Sequence, residues 1–424
     1  MHTTLRSLGG GDPRSTDTLS AAEVLAAALT FNSQMALARA QVDVGRAGVL
    51  VARQRPNPVL SLTPERLLNA ATGVSPWVVA LSLVWPVQTA GKRSLAIEQA
   101  LAVSDASLLT AASTVWNLRA TTRTALCTAE QAAMRNRLVS EESVLRTDLA
   151  NRLDKQAAAG VVSRYEAARS HLERDAAAMK LRQSEIELTA AKYDLAAATG
   201  MPMEAIDSRV FGSDCLDAHM ALPGGDAGAN AIAARLDLRA KLAEFRAADA
   251  ALRTEVARRY PDLNLGPGYT YDQGDRKITF TLSGELPIFS HNEGGIARAS
   301  ADRDRVVAEA EVLQESILNG VARAGAQLHA AESQFAAADA IAGETQRFLE
   351  RDVERQSSGE IDQPAVLVSR IGVIAARTEV LNARRALVDA IAAFEAATQM
   401  PLVAPMFDAT AAQAILVAPD SGSP

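Results

Sequence analysis

The chain has 424 residues and a net charge of −7, with 43 basic and 50 acidic side chains interspersed. No basic stripe tracks a phosphate backbone, which argues against a nucleic-acid partner. Hydrophobic residues make up 48% but aromatics only 4%, so small side chains dominate, suiting closely packed helices better than a thick globular core.

Residues 1–18, opening "MHTTLRSLGGG", read as a disordered lead-in with no apolar signal core and no cysteine for lipid attachment. A first helix is expected over Leu19–Arg55, then "RPNPVLSL" enters a β-hairpin at about 58–88. Its second strand sets Trp77, Val79, Leu81, Leu83, Trp85 and Val87 on one face. "VWPVQTAGKR" leads into a long helix, Ala90–Ala159, which turns at "AGVVS" into a helix over Ser163–Thr199 and ends at "ATGMP". Residues 201–228, rich in Gly, Pro and Asp, read as an irregular equatorial connection. The second half repeats the order: helix Ala229–Arg259, hairpin about 261–289, helix Gly295–Ser357, a turn at "SGEID", helix Gln363–Thr398. A C-terminal tail occupies 402–424. No run of about 18 consecutive apolar residues is visible, so no transmembrane helix is expected.

Four phrases of the first half return in the second in the same order. "RQRPNPVLSL" returns as "ARRYPDLNLG", "VWPVQTAGKR" as "ELPIFSHNEGGIAR", "AAAGVVSRYEA" as "QSSGEIDQPAV", and "LAAATGMP" as "FEAATQMP". Ordered self-similarity of this kind marks duplication, here of residues 19–200 in 229–401.

The strands alternate with period two. Ile278, Phe280 and Leu282 share one face, Thr279, Thr281 and Ser283 the other. Such a sheet lies between oil and water, the oil being either a protein core or lipid. Strands of this length fit a membrane barrel, with Trp77, Trp85, Tyr269 and Tyr271 as interfacial aromatics. Four strands cannot close one, so that reading demands several copies. The helices keep a seven-residue beat instead: Tyr165, Leu172, Met179, Ile186, Tyr193, and again Val366, Val373, Val380, Leu387, Phe394. Strict heptads specify coiled-coil packing. A helix of 65–70 residues spans about 100 Å, and each flanking helix is about half as long.

Sites for chemistry are sparse. The histidines (His2, His171, His219, His291, His329) are scattered, so no metal site and no cofactor is expected. "TAGKRS" departs from a phosphate loop at Pro86 and Arg93. With no nucleophile elbow and no His-Glu-x-x-His, an enzyme is not expected. Cys127, in a helical run, and Cys215, in a loop-like segment, read first as two unpaired small apolar residues, with a disulfide left open by the sequence.

The duplicated order helix, "RPNPVLSL", strand, "WPVQTAGKR", long helix, "AGVVSRYEAARSHLE", helix, "ATGMP" resembles the TolC-type outer membrane efflux proteins over roughly Leu19 to Pro401. "PVQTAGKRSLAI" and "LPIFSHNEGGIARA" are most similar to the heavy-metal (cobalt–zinc–cadmium type) branch. The resemblance implies a mainly α fold with a small β part: an elongated α-helical barrel plus four strands of a trimeric transmembrane β-barrel. It implies a homotrimer in the outer membrane extending into the periplasm, joined to a periplasmic adaptor (membrane fusion) protein and an inner membrane pump. It also implies export, so a signal sequence is expected to be missing from this chain. Pro86, Gly91, Pro287, Gly294 and Gly295 would form the joints where strand becomes helix, the prolines stopping the ladder and the glycines turning the chain. Gly160, Val161, Val162, Gly359, Glu360 and Ile361 would form the tips that meet the adaptor. Glu166 stands where an aperture acid is expected; Asp154, Asp352 and Glu354 nearby could contribute to it but read first as a solvated helix face. The second half has Ala365 where an acid matching Glu166 is expected. The implied function is a passive conduit for metal cations. The competing readings are a soluble coiled-coil scaffold and a periplasmic adaptor, which would carry one hairpin flanked by β domains rather than a duplicated unit.

Overall fold

The structure, a computed structural model, describes residues 19–69, 72–207, 209–211, 215–216, 227–402 and 414–416. The expected lead-in and nearly all of the tail lie outside them.

In chain order the elements are α1 (Ala21–Phe31), α2 (Ser33–Arg53), β1 (Val59–Arg66), β2 (Trp77–Val87), α3 (Lys92–Ala158), α4 (Arg164–Thr199) and the short α5 (Met203–Asp207). The second half follows with α6 (Ala227–Ala234), α7 (Leu236–Ala257), β3 (Leu263–Asp272), β4 (Asp275–Gly284), α8 (Glu293–Ser357) and α9 (Gln363–Thr398). The duplicated, mainly helical architecture is therefore present. One expectation fails twice: the first helix of each repeat is broken, at Asn32 and at Arg235. The reason is a backbone end that needs partners. Carbonyls in the last turn of a helix have no intrahelical donor. Asn32 Nδ2 donates to the Ala198 carbonyl at the end of α4 (2.8 Å), and Arg235 donates to the Ala397 carbonyl at the end of α9 (2.7 Å). Gly200 adopts φ +71° there, and a Cβ on it would lie 2.8 Å from the Phe31 carbonyl oxygen. Each break is thus the seat of another helix's C-terminus.

The chain divides into two compact units, each drawn from both repeats: residues 1–38, 112–236 and 315–424, and residues 39–111 and 237–314. In the first, α3 packs on α4, with Asn136 Nδ2 donating to Ser184 Oγ at 3.0 Å. On its other side Leu149 and Leu153 of α3 cluster with Leu367 and Ile371 of α9. Helix α9 in turn meets α8, where Arg384 lies over the Phe335 ring at 5.6 Å and Ser369 donates to Asp352. The order across this layer is α4–α3–α9–α8. Among the described residues, α4 and α8 are the outer members of this layer.

Helix α3 contains an 18-residue window of mean hydropathy 1.2, which meets the length and composition of a membrane span and nothing more. In the same helix Ala111, Ala112, Val115, Trp116 and Leu118 are buried against protein, although 28% of the window is buried in all.

Cys127 and Cys215 are joined in a disulfide, Cα atoms 5.3 Å apart, contrary to the expectation of two unpaired residues. They lie far apart in sequence, and only the fold brings the connection onto α3. Both belong to a buried cluster with Leu126, Leu195, Ile206, Phe211 and Leu216. Glu130 Oε2 beside them accepts the Cys215 N–H at 3.0 Å.

In the second unit the strands form one antiparallel sheet in the order β1-β2-β3-β4. Its helical part follows the same rule as the first. Arg93 of α3 donates to the Arg53 carbonyl of α2 (2.7 Å), Arg253 of α7 pairs with Glu98 of α3, and Lys241 of α7 pairs with Glu309 of α8 (2.9 Å).

Candidate functional site: an open sheet, its joints and the helical tips

The sheet register aligns apolar residues in rows. Leu62 faces Leu81, Leu81 faces Tyr269, and Tyr269 faces Ile278. A second row runs Trp85, Leu265, Leu282. The neighbouring row, on the other face, is Ser61, Ser82, Gly268, Thr279. One face is therefore continuously apolar and the other small and polar, because side chains alternate and the register is in phase. Among the described residues no helix covers the apolar face: Phe280 is 83% exposed, Ile278 75% and Leu60 66%. Among the described residues the outer edges of β1 and β4 have no strand partner. An exposed greasy sheet with two free edges is not a stable end state in water.

At the joints, four of the five predicted residues play parts other than those expected. Gly91 takes φ +73°, a left-handed conformation that turns the chain before α3. Pro86 does not stop the ladder. It lies inside β2, paired with Asn264, beyond Val84 where β1 has already ended; proline is tolerated where one strand edge is open. Pro287 stops nothing either, since β4 ends at Gly284. Gly294 and Gly295 are not the turn but the first turn of α8. The left-handed residue is Asn292, φ +60°, whose side-chain amide donates to the Glu255 carbonyl (2.9 Å) and carboxylate (2.8 Å). Gly295 serves close approach: a Cβ there would fall 2.4 Å from Asn292 Oδ1. Sequence reading missed Asn292, although an asparagine just before a helix is a recognised left-handed site.

Two links missed by sequence reading hold these joints. Lys92 Nζ donates to Asp262 Oδ1 (2.8 Å) and to the Tyr260 carbonyl (2.6 Å). Burial pushes the Asp262 carboxyl up, but hydrogen bonds from Lys92 and Thr89 outweigh it and hold the group below its ordinary value. In the α7–α8 pair, hydrogen bonds from Lys241 and then Arg305 hold Glu309 below its ordinary value.

The tips are hairpin turns closed by Gly160 (φ +76°) and Gly359 (φ +81°). Val161 is exposed; Val162, half-buried, packs on the Leu149–Leu367 cluster. Glu360 pairs with Arg355 at 3.2 Å and Ile361 is half-buried. Ser163 Oγ accepts the Glu166 N–H (3.1 Å), so Glu166 stands in the third helical position of a capping arrangement, exposed. Asp154 pairs with His171 at 2.9 Å and Glu354 is exposed. Asp352 is on no solvated face: it is buried between α8 and α9, accepting from Ser369 and paired with Arg355. Among the described residues no group of three or more His, Cys, Asp or Glu is placed to hold a metal.

Comparison with known proteins agrees with this geometry. The model of the outer membrane efflux protein family matches residues 24–201 and 228–398. The cobalt-zinc-cadmium resistance protein CzcC of Cupriavidus metallidurans is 26% identical over 314 residues, 73% of this chain and 72% of that protein. A membrane protein from Pseudomonas aeruginosa shares the fold with a TM-score of 0.76 at 19% identity, over 89% of this chain and 92% of that one. The Campylobacter jejuni outer membrane channel CmeC does so at 0.74 and 15% identity, over 96% and 93%. With a family match spanning both repeats, the chain belongs to the outer membrane efflux protein family.

Proposed function

We propose that three copies of this chain close one membrane-spanning β-barrel of twelve strands over an α-helical tunnel, making a passive conduit from periplasm to exterior. The observation that carries this is the sheet: four strands, one continuous apolar face left uncovered, and free edges at β1 and β4. Lipid against the apolar rows and neighbouring copies against the edges satisfy both at once. The polar row of Ser61, Ser82 and Thr279 then lines the bore.

A conduit of this kind performs no chemistry and needs an energy source elsewhere. We assign that to an inner membrane pump, reached through a periplasmic adaptor that meets the tips at Gly160–Val162 and Gly359–Ile361. The cargo is metal cations. The name of the relative CzcC supports this, as do the exposed acids Glu166, Asp154 and Glu354 near the tips, which would favour cations if they face the bore. Asp352, already engaged with Ser369 and Arg355, is not among them.

The test has two parts. The purified chain should require detergent, sediment as three copies and give a cation-selective conductance in a planar bilayer. A strain lacking it should become sensitive to cobalt, zinc or cadmium; sensitivity to organic drugs alone would overturn the cargo assignment. A monomer dispersed without detergent would overturn the channel.

A further inference from the structure

The two faces of the sheet end differently at the hairpin turns. On the polar face the register sets Glu65, Val78, Asp272 and Asp275 in one row, and Lys277 beside it pairs with Asp272. Along the apolar face every residue of the four strands is uncharged except Arg66, ending β1, and Arg276, near the start of β4. Both lie at the turn end and both are exposed. Among the described residues neither arginine has a carboxylate within ion-pairing distance. The sequence between β1 and β2, "LLNAATGVSP", contains no acid to supply one. Charge at this end is therefore sorted by face, with the acids on one and two bare guanidinium groups on the other.

Each arginine is matched with an aromatic residue. Arg66 lies over the ring of Trp77, its register partner, 5.9 Å from the centroid. Arg276 stands opposite Tyr271 in the register. Trp77 and Tyr271 at this end, and Trp85 at the other, mark where the two interfaces of a bilayer would fall. A guanidinium is costly in hydrocarbon, so Arg66 and Arg276 belong at headgroup level. The turn end faces the exterior, because the helices leave the sheet from the opposite end.

The arginines also stand on the two outer strands of the sheet. Where β4 of one copy meets β1 of the next, Arg276 and the neighbour's Arg66 come to the same face at the same end. Like charges on adjacent strands are destabilising, and an anion between them reverses the sign. Guanidinium forks suit the oxygens of a phosphate, which they can hold in pairs. We propose that each junction between copies binds an anionic lipid of the exterior leaflet, its headgroup phosphate held between Arg276 of one copy and Arg66 of the next. Its acyl chains then lie along the apolar rows of the sheet. The proposal rests on the membrane-barrel reading above and adds the class of lipid and the groups that recognise it.

Native mass spectrometry of the full chain, delipidated in detergent, tests it. The probes are diphosphoryl lipid A, the same lipid stripped of its phosphates, and phosphatidylcholine. The assembled species should retain the phosphorylated lipid and hold the other two about tenfold less, as loss of a charge-assisted hydrogen bond implies. Arg66→Gln and Arg276→Gln, both at exposed positions, should each lower retention by about the same factor. Lys277→Gln, one residue from Arg276 but on the polar face, should leave it unchanged. Retention indifferent to both arginine variants, or lowered as much by Lys277→Gln, overturns the site. Equal retention of phosphatidylcholine overturns the recognition of an anionic headgroup, and displacement by millimolar inorganic phosphate makes it a site for free anions instead of lipid. Any of these results with an unsubstituted chain that still sediments as three copies leaves the channel standing. Sedimentation of the unsubstituted chain as single copies overturns both.

Discussion

Two adjacent glycines at the start of α8 have different costs. A Cβ at Gly295 would meet Asn292 Oδ1 at 2.4 Å and Glu255 Oε2 at 2.8 Å, while one at Gly294 meets nothing within 4 Å. Gly295→Ala should therefore lower the thermal midpoint by breaking the Asn292–Glu255 link. Gly294→Ala should raise it slightly through helix propensity, by up to about 1 kcal/mol; parallel melting curves of the two variants decide. Asp262 makes a pH prediction. Its folded value lies below its unfolded one, so its stabilising contribution is present above the ordinary carboxylate value and is lost as pH falls through the lowered value. Asp262→Asn should melt earlier at neutral pH and lose part of the acid-side decline of the parent, read by melting at stepped pH. The disulfide bridges residues 88 apart in sequence. A loop of that size is worth about 4–5 kcal/mol in the chain-entropy model. Replacing both cysteines with serine should lower the midpoint by several degrees, and reductant should then have no further effect on the variant. Such a bond also suits an oxidising compartment.

At the scale of elements, period and phrase were enough to place nearly every helix and strand, because the two-residue and seven-residue beats each have one physical reading. The errors sit at the ends. The breaks at Asn32 and Arg235 are invisible to periodicity, since both serve carbonyls over 160 residues away. The strand that outruns Pro86 is legible only when β1 is seen to stop at Val59–Val84. The register of the sheet gives a prediction at this scale. Leu81→Arg places a charge in an apolar row flanked by Leu62 and Tyr269. If lipid lies there, it should cost about 2–4 kcal/mol near the bilayer midplane and reduce membrane-inserted protein. Ser82→Arg, one residue on and facing the other way, should insert normally and alter conductance instead. Equal effects from both variants would count against a lipid-facing side.

At the scale of the molecule, each layer is built the same way. Among the described residues, sheet and helices form rows whose outer members are β1 and β4 in the sheet and α4 and α8 in the helical layer. Large apolar side chains stand exposed along the sheet and along α4, which a finished monomer in water does not tolerate. Assembly is therefore expected to be coupled to stability. Dilution of the detergent-dispersed protein should lower its thermal midpoint, as for any fold completed by its own copies; a midpoint independent of concentration would point to a self-sufficient monomer.

The duplication, the two periodicities and the positions of the tips were determined by the sequence alone, because repeats and hydrophobic phase are local and survive any packing. The pairing of Cys127 with Cys215, the burial of Asp352, the seating of helix ends at Asn32 and Arg235, and the division of α4 into a buried and a bare face were decided by the tertiary structure. Each depends on which distant segment comes to lie alongside, and no local pattern of residues encodes that.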